Sequence, residues 1–253
     1  MPAGAPIRSC GSVVLVTSAD FNLLGAAHLL ILAAIPLLAA ILTAIQSRLR
    51  RGSSGVRLGL GSVLLLDMVL WYGYLAAIRQ LSFPGALPLD LCDVTLFLVT
   101  LVLFNLNAAV FDLVYYFALA GTSMALLTPD LWEAFPSLST VQFFASHGLA
   151  VAAVLYLVWS GQARPRPGSA PRTLLALNLF AAFDFTFDAV FKTNYMYLRA
   201  KPESLSLLNV LGPWPWYILT SDAVAWVLFL LLYLPFRASS RSRMAQRKRP
   251  GGQ

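Results

Sequence analysis

Apolar residues in this chain form seven nearly unbroken runs, at about 21–45, 58–78, 87–107, 110–127, 137–160, 172–191 and 214–236. Each run approaches the roughly 20 residues a helix needs to cross a bilayer. They are continuous rather than alternating, so the pattern predicts helices and not the strands of a barrel. Short breaks punctuate them: an Arg/Gly/Ser linker at 46–57, a Pro/Gly turn at 82–88, the Asn105 to Asn107 turn, Thr128-Pro129-Asp130, and a Pro/Arg linker at 162–171. Pro36 falls inside the first run and predicts a kink there. The expected fold is all-α: a polytopic membrane protein built as a seven-transmembrane-helix bundle. Residues 1–20 are read as a short extracytoplasmic N-terminus, 21–236 as the membrane domain and 237–253 as a basic cytoplasmic tail.

Composition sharpens this picture. The chain is 58% hydrophobic and 11% charged, where a soluble domain carries about 25% charged residues. Orientation follows from Lys and Arg in the flanks. With seven spans, 13 of the 18 basic residues fall on one side: four in the first linker, three around the fifth, six in the tail. Arg8, Arg79, Lys192, Arg199 and Lys201 fall on the other. The expectation is an N-terminus outside and a C-terminus in the cytoplasm, in a bacterial cytoplasmic membrane. The tail suits anionic lipid headgroups; without a folded basic domain, nucleic acid is not an expected partner. Two cysteines, Cys10 and Cys92, make no disulfide framework.

Ionisable residues inside a membrane are costly and call for a reason. Here they cluster toward one side. The third run opens on Leu87-Pro88-Leu89-Asp90-Leu91-Cys92-Asp93. At 1.5 Å per residue, Cys92 lies about 8 Å from the outer surface and His147 about 15 Å. His28 and Asp222 lie at about 11–12 Å, and Asp184 and Asp188, one helical turn apart, at about 5–10 Å. Asp67 is deeper; Asp112 and Asn178 lie near the opposite edge. A thiol, a histidine and carboxylates at one level match an activated nucleophile with its base and orienting acid. They equally match an ion or proton path, and the pattern alone does not separate the two. Asn194 and Tyr195 suit a lid over such a pocket. Trp214 and Trp216, in Gly212-Pro213-Trp214-Pro215-Trp216-Tyr217, suit an interfacial belt or a pocket wall. No metalloprotease, P-loop or serine-hydrolase signature occurs, and no metal or cofactor is expected.

The same residues carry a family resemblance. Leu87-Pro88-Leu89-x-Leu91-Cys92, Ala120-Gly121-Thr122, Ala125 to Leu131, Phe135-Pro136-Ser137, Gln142-Phe143-Phe144 with His147-Gly148, Thr193 to Leu198 and Leu211 to Tyr217 resemble the YwaF-like bacterial integral membrane family. The likeness covers almost the whole membrane domain. Asp90 stands where family members often carry His, which weakens any role carried to that position. The family is similar to eukaryotic acyltransferases that remodel ether phospholipids and, more remotely, to the androgen-induced lipid hydrolases. That resemblance implies acyl chemistry with Cys92 and His147 as the reactive pair. Asp222, Asp184, Asp188, His28 and Asp90 then stand as supporting or orienting groups, and phospholipid and lysophospholipid as partners. A proton-coupled transporter or ligand-binding membrane protein using the carboxylates is the second expectation. A structural subunit of a membrane complex is the third.

Overall fold

A computed structural model describes residues 21–49, 54–131, 133, 135–202 and 206–247, with side chains to Arg237. The expected N-terminal leader with Cys10, and the end of the basic tail, lie outside the described residues. Seven helices follow in order: α1 (Ala26–Arg48), α2 (Gly55–Ala77), α3 (Leu91–Phe104), α4 (Ala108–Leu127), α5 (Leu138–Trp159), α6 (Ser169–Phe191) and α7 (Trp216–Arg247). Six are long and apolar enough to cross a membrane, and α3 is a shorter apolar helix. The outward faces are themselves apolar, with Leu30, Leu37, Leu70, Leu179, Val190 and Leu219 exposed. Only a hydrocarbon surrounding suits such a surface. The chain is an integral membrane protein.

Local chemistry sets the helix ends. Asn107 caps α4, its side-chain oxygen accepting from Ala109 N at 2.8 Å and Val110 N at 3.1 Å. Ser137 and Thr140 form a reciprocal capping box that starts α5. The third helix departs most from expectation. It begins at Leu91 rather than Leu87, because Pro88 has no N–H to donate and biases Leu87 away from helical angles. At 14 residues it is about 21 Å long, well short of a hydrocarbon core of about 30 Å. The other difference is at the far end: α7 continues to Arg247, beyond the expected end near Phe236.

The most buried helix is α5, which packs against α1, α2, α3 and α4. Small residues permit this. Ala150, Ala152 and Ala153 are fully buried, and a Cβ on Gly148 would stand only 3.3 Å from Ile35 Cγ1. A π-helical turn over Phe117–Thr122 interrupts α4, and Ser123 Oγ donates to Ala118 O there at 3.2 Å. Its Gly121 faces the start of α3, where an added Cβ would be 3.4 Å from Leu91 Cδ2. The last two helices are mostly lipid-facing. They meet the rest through α4 and each other through Asn178, whose Nδ2 donates to Asp222 Oδ1 at 2.8 Å.

The two ends of the bundle differ. At the end holding Arg48, Arg57, Arg164, Arg166, Arg172 and Arg237, the polar groups are tied down. Buried Asp112 accepts from Arg166 Nε at 2.8 Å, from Arg166 N at 2.9 Å and from Arg172 at 3.4 Å. Arg57 donates to Leu103 O, and Tyr116 pairs with Ser169 at 2.8 Å. Replacing Asp112 with Ala strands three donors around a buried position. Because both arginines are about half exposed, the expected loss is about 1–3 kcal/mol, read as a lower melting temperature in detergent. A melting temperature equal to the wild type would show that the linker is held by other contacts.

Candidate functional site

The opposite end encloses a cavity of about 660 Å³, within the range of small-molecule sites. Its mouth is polar, with Asp90, Cys92, Asp93, Asp130, Gln142 and His147 in the wall. Its depth is apolar, formed by Phe117 and Ala120 of α4, Leu177 of α6 and Val224, Leu228 and Phe229 of α7. Among the described residues no Lys or Arg lines it. The site is therefore amphipathic and carries carboxylates without counter-cations in its wall.

Cys92 is the second residue of α3, half-buried and free. It lies beside Thr122, the last residue of the π-helical turn. Thr122 Oγ1 is buried and completes no hydrogen bond among the described residues. The short α3 explains how Cys92 comes to share a cavity with His147 despite the depth difference expected from sequence. Asp93 in the first turn of α3 and His147 in the third turn of α5 line the same cavity.

His147 is held by its own helix. Its Nδ1 lies 2.8 Å from Phe143 O and 3.1 Å from Ser146 Oγ, and the Phe143 ring stacks on it with centroids 4.0 Å apart. A carbonyl oxygen only accepts, so Nδ1 carries the proton and donates. Nε2 is then the basic nitrogen, with no hydrogen bond among the described residues. The expected orienting carboxylate is corrected here: a backbone carbonyl does that work. Asp222 is instead engaged with Asn178 between α6 and α7. His28 is absent from the cavity wall. Its Nδ1 accepts from Leu24 N at 3.0 Å and its Nε2 donates to Leu126 O at 2.8 Å, pinning α1 to the end of α4.

A roof closes part of the mouth. Buried Asp188 turns the chain after α6, its Oδ1 accepting from Thr193 Oγ1 at 2.6 Å and Tyr195 N at 3.0 Å. The Tyr195 hydroxyl donates to Pro84 O at 2.7 Å and accepts from Leu87 N at 3.0 Å. Asp90 accepts from Met196 N at 2.9 Å. Tyr197 donates to Asp130 at 2.6 Å, while its own carbonyl accepts from the Tyr217 hydroxyl. Burial, and then Asp130, push the Tyr197 phenol above its ordinary value, so it stays a donor. Lys192, Met196 and Tyr197 hold left-handed φ of 61°, 52° and 55°, strain that persists only because these bonds over-determine it. Asn194 folds the roof upon itself through Arg199 N and Ala200 N and does not reach the cavity. Trp214 donates to Leu198 O at 3.2 Å. Both Trp214 and Trp216 are exposed and outside the wall, as interfacial anchors are.

Asp184 is fully buried, and neither carboxylate oxygen has a hydrogen-bond partner among the described residues. It neighbours Asp188 and Asp90 electrostatically but does not line the cavity. Asp93, Gln142, Asp130 and Tyr197 stand in the motifs quoted from the sequence but were given no role in the site there. Asp93 had a signal, being adjacent to Cys92 in the same run. Asp130 looked only like a helix stop.

The class is thus a polytopic helical membrane protein with an amphipathic cavity toward one end of the bundle. The chain belongs to the TMEM164 family, whose model matches residues 23–233. That match corrects the YwaF-like assignment expected from the motifs. An uncharacterized protein of Treponema pallidum (strain Nichols) is 29% identical over 162 residues, covering 64% of this chain and 67% of its own. No solved structure matches.

The two acids of α6 make opposite predictions. Asp188→Leu removes acceptors for Thr193 and Tyr195 and should cost about 1–3 kcal/mol, with Asp188→Asn milder because an amide oxygen still accepts. Asp184→Leu removes no hydrogen bond and should cost less than Asp188→Leu. Thermal unfolding of the three variants in detergent gives the order, and a larger loss at Asp184 would mean a partner there.

Proposed function

We propose that this protein is a membrane lipid acyltransferase or acyl hydrolase working through Cys92 and His147. The observation that carries the reading is the placement of both side chains in the wall of one amphipathic cavity. The orientation of His147 supports it, since Nδ1–H is committed to Phe143 O and Nε2 is free to act as base. Nε2 takes the thiol proton, and the thiolate attacks an ester carbonyl of a phospholipid whose chain lies in the apolar depth. His147 returns the proton to the leaving alcohol. A lysophospholipid, or water, then accepts the acyl group from the thioester. A donor bearing several phosphates would meet carboxylates and, among the described residues, no Lys or Arg in the wall, so a membrane phospholipid is the better donor. With Arg48, Arg57, Arg164, Arg166, Arg172 and Arg237 at the other end, the cavity belongs to the outer leaflet of the membrane.

Two measurements test this. Cys92→Ser should fold, since it exchanges one small side chain for another, and should lose about 100-fold or more of transfer, as should His147→Ala. The double variant should lose little more, because nucleophile and base act as a unit. The assay uses labelled phospholipid with a lysolipid acceptor and looks for a hydroxylamine-sensitive acyl group on the protein. Full turnover by Cys92→Ser would end the thioester mechanism, and inactive Asp variants with an active Cys92→Ser would favour transport. For orientation, single cysteines introduced at Glu133 and Lys201 in a cysteine-free variant should react with an impermeant maleimide from outside intact cells. Reaction only after lysis would move the cavity to the inner leaflet.

A further inference from the structure

A second, much smaller cavity of about 40 Å³ adjoins the first. It is walled by α2, α3 and α5 only, and His147, Asp93, Gln142 and Tyr72 line both cavities. Ser146 contributes its hydroxyl to the small one alone. A space of that size holds one or two waters, and a buried water needs two to four polar partners. The carboxylate, the amide, the hydroxyl and the imidazole supply them.

The amide is already aimed. Gln142 Nε2 donates to Asp67 Oδ2 at 3.1 Å, so its oxygen is left to accept from whatever occupies the cavity. Of the cavity carboxylates, only Asp93 shares this compartment with the imidazole. Asp90 and Asp130 line the large cavity alone and are engaged with Met196 N and Tyr197. His147 has no carboxylate on Nδ1, where a neutral carbonyl sits instead. A ring that gains a second proton, at Nε2, needs negative charge from another direction.

We propose that Asp93 is the counter-charge of His147, acting through water held in this small cavity. Asp93 is thereby a positioning residue, acting through the imidazole. Water donates one hydrogen to the Asp93 carboxylate and accepts from the ring nitrogen once that nitrogen is protonated. No proton is consumed: the one taken from the thiol resides on the imidazole until the leaving alcohol removes it. The titratable groups facing this arrangement are Tyr72 from α2, Cys92 and Asp93 from α3, Asp90 just before α3 and Tyr195 of the roof, with Asp67 behind Gln142. The inference rests on the proposed Cys92–His147 chemistry for its effect on turnover, but the coupling itself is measurable without any substrate.

The chain has two histidines, so ring nitrogen NMR of the full-length protein in nanodiscs resolves His147 as the resonance lost in His147→Gln. Asp93→Asn should lower the midpoint of His147 protonation by about one unit, the smaller end of the effect of a nearby opposite charge. Asp93→Glu should retain the higher midpoint, and Asp130→Asn should leave it in place. Should Asp93→Asn not fold, Gln142→Leu fills the water space with Asp93 intact and should lower the midpoint in the same direction. A midpoint indifferent to both Asp93→Asn and Gln142→Leu overturns the proposal. In turnover, Asp93→Asn should reduce kcat with KM unchanged, whereas a merely structural change would move KM as well. A shifted midpoint together with no acyl group on wild-type Cys92 would sink the acyl-transfer reading and leave the Asp93–His147 coupling standing.

Discussion

Backbone polar groups have no water to turn to inside a bilayer, and the mouth of the third helix violates the usual solution. Four residues before Leu91 are not helical, yet they lie where a longer helix would run. One phenol answers much of that demand: Tyr195 gives its hydrogen to Pro84 O and accepts from Leu87 N. Non-helical backbone is tolerated at such depth only where it is enclosed by protein or lines a cavity, and here it does the latter. The shortened α3, the enclosed space above it and the roof that carries Tyr195 are therefore one arrangement. Asp188 belongs to it, because its carboxylate fixes the turn that presents Tyr195.

Electrostatics divides the molecule along its long axis. At one end a single carboxylate, Asp112, is met by two arginines and a backbone N–H. At the other, among the described residues, Asp90, Asp93 and Asp130 face a cavity with no cationic side chain in its wall, and Asp184 has no hydrogen-bond partner. Charges that serve only architecture are usually neutralised by the fold itself. The asymmetry suits a cavity end where charge is kept available for chemistry, and a basic end where it is used up in holding the linker.

Most of the architecture was legible because membrane helices announce themselves by length and apolarity, and seven runs became seven helices. What the pattern missed were events within a helix. Leu87 to Leu89 are apolar enough to extend α3, and hydropathy does not register that Pro88 lacks a donor. The consequence was a start of α3 placed four residues early. The carboxylates were likewise visible as ionisable residues at one level, but their partners are not encoded in depth. Asp222 meets Asn178, and His28 meets two backbone groups, because helix rotation decides which faces look at one another. The tie between His147 and Phe143 O spans one helical turn, yet sequence offers no reason to prefer a carbonyl over a nearby acid.

The π-helical turn in α4 acts as a phase shifter. One residue more than a regular turn needs is accommodated between Phe117 and Thr122, and one residue is about 100° of rotation on a helix. Everything after it, including the Leu126 carbonyl that receives His28, is set by that offset. So is the side of the helix on which Thr122 meets Cys92. Two contacts on different faces of the bundle, one anchoring α1 and one flanking the thiol, thus share a single angular reference. Excising one residue from the turn would dial both out of register at once, although neither partner side chain had been altered.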